Sequence, residues 1–412
     1  MFKYFYRFSS VCFLFLFFTL QLNDLFAQKV TPADRVTEKV TVRQNPDTQS
    51  GVAGFLFKGE TADLLEDVPY WYKIKLNSQV IGYVSKAWTT LSGEITDPGI
   101  LSGKTDLIIG SWNIKWFGKG NTDKHNYSEM AKIIEKMDVI AIQELCEPNY
   151  QRKLDSLKFY LAKNGFKYEY IFSNATGYKN NPDTLKNDYI ERYAFMWDKD
   201  RINLTTTGLT FVSTPEINNP TFRQVPVFAD FKVKKPGGFD FRIMTIHTVY
   251  NAEINFVRRA ELKFVKQWIK DQCTDVSNPE KNIIVIGDFN ANPKGQPKDF
   301  AEEISGTTDF RVLFEEALSV GEKSLRTTIQ QSDNHGTDYF LLPVYDHALV
   351  SNETNYALPN NPMTKAAKDL GVIEFDQEPL WKDLNNWDLV ISKMSDHRPV
   401  WFKINFNAED RD

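Results

Sequence analysis

The stretch Ile283-Ile284-Val285-Ile286-Gly287-Asp288-Phe289-Asn290-Ala291 decides how this chain is read. Four consecutive β-branched residues suit a buried strand. The carboxylate and amide that follow emerge where that strand ends, and in open sheets such ends are where sites collect. Taken alone, the same segment also fits a plain turn, because Asp and Asn favour turns through hydrogen bonds to nearby backbone.

The same arrangement recurs along the chain. Trp112-Asn113 closes the apolar run 107–111, Gln143-Glu144 closes 138–142, and His247 closes 241–246; Asp346-His347 precedes Ala348-Leu349-Val350, and Ser395-Asp396-His397-Arg398-Pro399 precedes the run 400–404. A buried Glu144 without a partner would be costly, so a cation or solvent must accompany it. An adjacent acid and imidazole, as in Asp396-His397, can ligate a metal and move a proton. A lone histidine in such a place is more often structural than catalytic. The joint pattern changes that balance, since Asn113, Glu144, His247, Asp288, Asn290, Asp346, Asp396 and His397 all sit at strand ends, where independent accidents would scatter.

Between these runs the texture is that of helices covering sheets. Met130, Ile133, Ile134 and Met137 recur at helical spacing and predict a helix over 128–136; Leu262, Val265 and Ile269 predict another from about 253 to 272. Residues 30–95 carry no helical period. They read as short strands at 40–43, 70–76 and 80–84, with turn signals at Asn45-Pro46-Asp47 and from Gly51 to Gly54, which makes a small β-barrel pattern. Residues 96–104, with Asp97-Pro98-Gly99 and Ser102-Gly103, read as a linker.

At the N-terminus Lys3 and Arg7 precede an apolar run from Val11 to Leu20, and Ala27 sits where a signal peptidase would cut. Residues 1–27 are therefore expected to be a signal peptide, and the mature chain to begin near Gln28 as a secreted or periplasmic protein. No later stretch is continuous enough to span a bilayer, which needs about 20 apolar residues. The net charge is −5, and loss of Lys3, Arg7 and Asp24 makes it one unit more negative. A nucleic-acid binder is normally basic, so here phosphate attraction must come from a local patch and a bound cation. With 412 residues, 42% of them hydrophobic, the chain can bury a large core in two or three domains. Beyond Cys12 only Cys146 and Cys273 remain. They allow one disulfide or two free thiols, and no metal-binding cysteine pattern exists.

Trp112-Asn113-Ile114, Gln143-Glu144, Ile246-His247, Gly287–Ala291, Tyr345-Asp346-His347 and Ser395–Val400, taken in order, resemble the endonuclease/exonuclease/phosphatase superfamily over nearly all of residues 104–407. Residues 188–202 and 222–231 are similar to elements of its deoxyribonuclease I branch, and residues 30–95 resemble bacterial SH3-like domains. The resemblance implies an α+β fold in which a four-layer α/β/β/α sandwich over 105–407 follows a small all-β SH3-like barrel. It implies Glu144 as the main Mg²⁺ ligand, with Asn113, Asp288, Asn290 and Asp396 as further metal or phosphate contacts, Mn²⁺ as a substitute and Ca²⁺ left open. His247 oriented by Glu191, and His397 oriented by Asp346, would form two acid/base pairs, and Tyr189 and Arg223 would contact the substrate backbone.

Those roles are chemically coherent. Phosphodiester hydrolysis needs water deprotonated on one side of phosphorus and the leaving oxygen protonated on the other, and two histidines suit that task. Five carboxylates, Glu144, Glu191, Asp288, Asp346 and Asp396, would repel one another severely without a cation. The leading expectation is a DNA endonuclease, with RNA a lesser substrate. A phospholipid or sphingomyelin phosphodiesterase is the second reading; an exposed aromatic hairpin around Trp381, Leu384 and Trp387 would favour it, although those side chains more often pack into a core. A non-catalytic surface-binding protein is the third, and the SH3-like part is expected either to bind cell wall or another surface or to act as a spacer. Three departures from deoxyribonuclease I stand out: Cys146 replaces a minor-groove arginine, the disulfide after the Gly287–Ala291 motif is missing, and the structural Ca²⁺ sites cannot be traced.

Overall fold

The computed structural model describes residues 29–92 and 106–411, apart from 34, 69–70, 77–78, 87, 120–123, 147, 178–189, 213–221, 251–254, 294–298, 322–324, 330–343 and 383–386. The expected signal peptide and linker, Tyr189 and Leu384 lie outside the described residues. The chain divides into two units between Asp97 and Pro98. No described helix is long and apolar enough to cross a membrane.

The first unit is one antiparallel sheet of seven strands, β1 (Lys29–Pro32), β2 (Lys39–Arg43), β3 (Val52–Phe57), β4 (Ala62–Val68), β5 (Trp71–Lys75), β6 (Ile81–Ser85) and β7 (Thr89–Ser92), in the order β3-β2-β6-β5-β4-β1-β7. Alternate residues such as Val40 and Val42, with Val30, Leu56, Ile74 and Val84, form its core. The strands expected at 40–43, 70–76 and 80–84 are present; β1, β4 and β7 were not anticipated, and β3 runs through the Gly51 to Gly54 stretch that read as a turn signal.

The second unit holds two sheets. One contains β8 (Asp106–Phe117), β9 (Val139–Leu145), β10 (Tyr168–Phe172), β11 (Arg192–Asp198), β19 (Leu370–Val372) and β20 (Val400–Asn405), ordered β10-β11-β9-β8-β20-β19. The other contains β12 (Ile202–Leu204), β13 (Thr210–Phe211), β14 (Val227–Val233), β15 (Asp240–His247), β16 (Ile283–Asp288), β17 (Phe310–Val312) and β18 (Asp346–Ser351), ordered β12-β14-β15-β16-β18-β17 with β13 beside β14.

Period-2 alternation assigns the layers. Leu107, Ile109, Val139 and Ala141 of the first sheet share one core with Phe241, Ile243, Ile284, Ile286, Ala348 and Val350 of the second. Their neighbours point the other way. Ile108, Trp112, Ile140 and Ile142 pack beneath the helices Tyr127–Ile134 and Tyr150–Lys163 through Met130, Ile134, Leu154 and Leu157. Met244, Ile246, Ile283 and Val285 pack beneath the helix Asn255–Thr274 through Leu262, Val265 and Ile269. The two expected helices, with bounds shifted by one or two residues, and the unanticipated helix Tyr150–Lys163 thus cover the outer faces of two sheets packed face to face, the four-layer architecture.

Candidate active site

Register brings three of the sequence-selected residues into one row. His247 pairs with Asp288 across parallel β15 and β16, and Asp288 pairs with Asp346 across antiparallel β16 and β18. All three share the parity of the inter-sheet core residues, so they face the other sheet at its edge. There β8 contributes Asn113, which continues the inward series Leu107, Ile109, Ser111. Gly287, between Ile286 and Asp288, cannot be replaced by a larger residue without disruption. Its φ is +154°, and a Cβ would meet the Ile246 carbonyl oxygen at 2.1 Å.

Glu144 reaches the same place through a bulge. Its parity belongs to the helix-covered face, but its φ is +60°, and Leu145 returns to that outer core. Arg192 faces Leu145 while Ala194 faces Ile142, so β9 carries one residue more than β11 at this point. The opposite flank, β8, bulges as well: Asn113 faces Gln143 and Phe117 faces Leu145, with Trp116 at φ +49°. The Trp116 N–H donates to Glu144 Oε2 at 2.9 Å. Asn290, at φ +45°, is the third non-glycine residue of the site in this region, which L-residues occupy at some cost and mostly at functional sites.

Two histidine–carboxylate pairs face each other across Asp288. His247 Nδ1 lies 2.8 Å from Glu191 Oε1, and His397 Nδ1 lies 2.9 Å from Asp346 Oδ2. Both Nε2 atoms turn toward Asp288 Oδ2, at 3.8 Å for His247 and 3.5 Å for His397. Asn113 Nδ2 donates to that same oxygen and to Glu144 Oε1, each at 3.0 Å, and Glu144 Oε1 is 3.9 Å from His247 Nε2. Asn290 donates its N–H to Asp288 Oδ1 and its side-chain amide to the Thr248 carbonyl, both at 2.8 Å. Asp396 is held by Lys115 Nζ at 2.5 Å. Arg223 is half-buried, and its backbone N–H donates to Glu261.

Burial disfavours the charged form of His247, but Glu191, Asp288 and Glu144 outweigh it and push its pKa up to about 10. His397 is likewise opposed by burial and raised well above its ordinary value by Asp346, Asp288 and Asp396. Burial raises Glu191 and Asp288 as well, with the histidines acting the other way. Without a cation, the two imidazolium ions, with Lys115 on Asp396, supply the positive charge that offsets the carboxylates.

The donor set suits a divalent cation. Asp288, Asp346 and His397 offer ligand atoms within 4.8 Å of one another. Asn113 joins Asp288 to Glu144. Among the described residues Asn113 Oδ1 and Asp346 Oδ1 are buried without a hydrogen-bond partner, and unsatisfied acceptors beside carboxylates are what a hard cation takes up.

Several supporting residues were missed in the sequence. Gln143 Nε2 bonds Thr245 Oγ1 at 2.7 Å and Ser111 Oγ at 2.9 Å, tying the sheets together under the site. Ser395 Oγ donates to the Asn113 carbonyl and accepts from the His397 N–H, and Trp112 Nε1 donates to the His397 carbonyl, so the loop carrying His397 is fixed on β8. Thr327 Oγ1 accepts the Tyr345 and Asp346 N–H groups. Glu261, fully buried, accepts the N–H groups of Arg223 and Val249, each at 2.9 Å. Gln143, Ser395 and Trp112 lie within recognised motifs, where they were given no supporting role; Thr327 and Glu261 come from distant segments with no local motif to announce them. Cys146 and Cys273 are free thiols.

The Bacterial SH3 domain model matches residues 38–90, and that of the Endonuclease/Exonuclease/phosphatase family matches residues 110–397. The chain is 23% identical over 313 residues to a protein named Deoxyribonuclease gamma from Rattus norvegicus, covering 74% of this chain and 86% of that one. It is 25% identical over 303 residues to a Deoxyribonuclease from Thioalkalivibrio sp. (strain K90mix), covering 72% and 70%. Among solved structures, an endonuclease/exonuclease/phosphatase family protein from Bacteroides thetaiotaomicron aligns over 74% of this chain and 96% of its own, with 18% identity and a TM-score of 0.47. With the family match running from β8 to His397 and holding the whole row of site residues, the chain belongs to the endonuclease/exonuclease/phosphatase family and carries a bacterial SH3 domain ahead of the catalytic fold.

Proposed function

We propose that this protein is an exported, Mg²⁺-dependent endonuclease that hydrolyses DNA phosphodiester bonds. The observation that carries the reading is the convergence of two imidazole Nε2 atoms on Asp288, each with its Nδ1 on a carboxylate. That arrangement leaves Nε2 as the nitrogen that exchanges a proton. One histidine takes a proton from water as the new P–O bond forms; the other gives a proton to the leaving sugar oxygen as the old P–O bond breaks. Glu191 and Asp346 hold each ring and stabilise its charged form. Glu144, Asp288 and Asn113 would hold the Mg²⁺, which when bound neutralises charge on the phosphoryl oxygens and lets the histidines deprotonate more readily.

The relatives named deoxyribonucleases support DNA as the substrate, and Tyr189 and Arg223 remain the proposed backbone contacts. An exposed aromatic hairpin would have favoured the lipid reading; Trp381 instead lies buried in the short helix Pro379–Lys382. The SH3 domain is proposed to tether the enzyme to a cell wall or a similar surface. Incubation with plasmid DNA, RNA and sphingomyelin vesicles, each with Mg²⁺ and with EDTA, tests the proposal. Cleavage of DNA that EDTA abolishes is expected; hydrolysis of lipid alone would overturn it.

A further inference from the structure

Beside the reacting groups stands a side chain that the fold does not use. Trp116 is 52% exposed and belongs to none of the cores that bury its neighbours Ile114 and Phe117. It lies in the β8 bulge at φ +49°, a conformation unfavourable to a tryptophan. Its backbone N–H is fixed on Glu144 Oε2, so the residue that carries the indole stands one hydrogen bond from the catalytic cluster. Lys119 Nζ lies 4.2 Å and Lys115 Nζ 5.4 Å from the ring centroid. Lys115 also reaches Asp396, next to His397. A flat apolar face flanked by two ammonium groups matches a ligand that carries a π-system and an anion in one unit, which a nucleotide does.

We infer that Trp116 is a nucleobase platform, on which the base next to the scissile phosphate stacks while Lys119 and Lys115 face the neighbouring phosphates. The inference rests on the nuclease reading and adds a substrate form to it. A base can lie on the indole only after leaving its own stack, so the site favours single-stranded or locally opened DNA over intact duplex. The lysines are long and flexible, and each can exchange the indole face for a phosphate. Across the site, exposed Tyr250 packs edge-on against Tyr345 with ring centroids 6.5 Å apart, so the rim formed by the other sheet is aromatic too.

The test uses the full-length mature chain and a labelled single-stranded oligodeoxynucleotide, unmodified or with one abasic residue placed in turn at each position around the mapped cut. For the unaltered protein, removing the base beside the cut is expected to raise KM about tenfold or more. Trp116→Ala should raise KM on the intact strand by a similar factor and become indifferent to the abasic residue, whereas Trp116→Phe should retain most of the dependence. The ratio of single-strand to duplex cleavage should fall in Trp116→Ala. A Trp116→Ala protein with unchanged KM, or one as sensitive to the abasic residue as the parent, overturns the platform alone. A parent protein that cuts no DNA yet hydrolyses bis(4-nitrophenyl) phosphate overturns the nuclease reading and the platform together.

Discussion

Asp346→Asn separates a catalytic carboxylate from a structural one, because its effects on stability nearly cancel while its effect on turnover does not. Asp346 is fully buried, with Oδ2 2.9 Å from His397 Nδ1. At an effective dielectric constant of about 20, opposite unit charges at that separation attract by roughly 6 kcal/mol, which the charged imidazole loses in the variant. Two gains oppose the loss. Asp288 stands directly across the strand pair, and like charges at the 4.8 Å limit of that cluster repel by roughly 3 kcal/mol. The variant also no longer buries a carboxylate, a penalty of several kcal/mol. The net change in folding free energy is therefore expected within about 2 kcal/mol, a melting shift of at most about 6 °C. Turnover has no such compensation: an amide neither enforces the Nδ1–H tautomer nor stabilises the imidazolium, so kcat/KM on DNA should fall by roughly 10²- to 10⁴-fold. His397 would also bind its proton less tightly, so the limb of the pH–rate profile that reports it should move to lower pH, whether it serves as acid or base. A variant with kcat/KM within about threefold of the parent and an unmoved limb would refute the pairing. Collapse of the melting temperature would refute the cancellation.

His247→Ala should fold normally and lose at least about 10²-fold in kcat, read by circular dichroism beside a nuclease assay; an unchanged rate would show that the acid/base assignment is wrong. Mg²⁺ or Mn²⁺ should stabilise the protein, by about 2.7 kcal/mol at a hundred times the dissociation constant, seen as a melting shift that Glu144→Gln diminishes; no shift in the parent would remove the cation site. Burial raises Glu261 from 4.5 to about 7, against the two N–H groups it accepts. The folded state therefore holds a proton that the unfolded state releases, so stability is highest below pH 4.5 on this account and falls by about 3 kcal/mol as pH rises to about 7. Glu261→Gln should abolish that slope in pH-dependent melting while costing about 1 kcal/mol for the hydrogen bond that one amide oxygen cannot replace. A slope that survives the substitution would place the proton elsewhere.

Much of the architecture was legible because buried strands and covering helices leave direct periodic traces. The run 283–286, the helix near 128–136 and the polar residues at strand ends all derive from one-dimensional patterns. What was not legible came from geometry that periodicity does not encode. Glu144 was picked out as a strand-end residue, but the bulge that turns it from the wrong face into the site was not legible. Glu261 lies on a helix whose apolar stripe says nothing about an acid buried within it. Lys115 follows Asn113 and Ile114, yet nothing local predicted that it would take Asp396 as its partner.

The inward residues of β8, β9, β15 and β16 form a gradient that ties the fold to the site. On β8 the inward residues run Leu107, Ile109, Ser111, Asn113; on β9, Val139, Ala141, Gln143; on β15, Phe241, Ile243, Thr245, His247; on β16, Ile284, Ile286, Asp288. Apolar residues give way to chemistry along every strand, on three of them through a small or neutral polar one. Ser111, Gln143 and Thr245 form a hydrogen-bonded layer between the core and the charges. The layer has a physical purpose, because charged groups set directly on a hydrocarbon core would meet the full cost of desolvation, whereas neutral dipoles beneath them soften it and satisfy one another. The carboxylates and imidazoles can then be packed closely at the sheet edge, where a cation and a phosphate can reach them, while the apolar half of each strand supplies the burial that holds the edge in place.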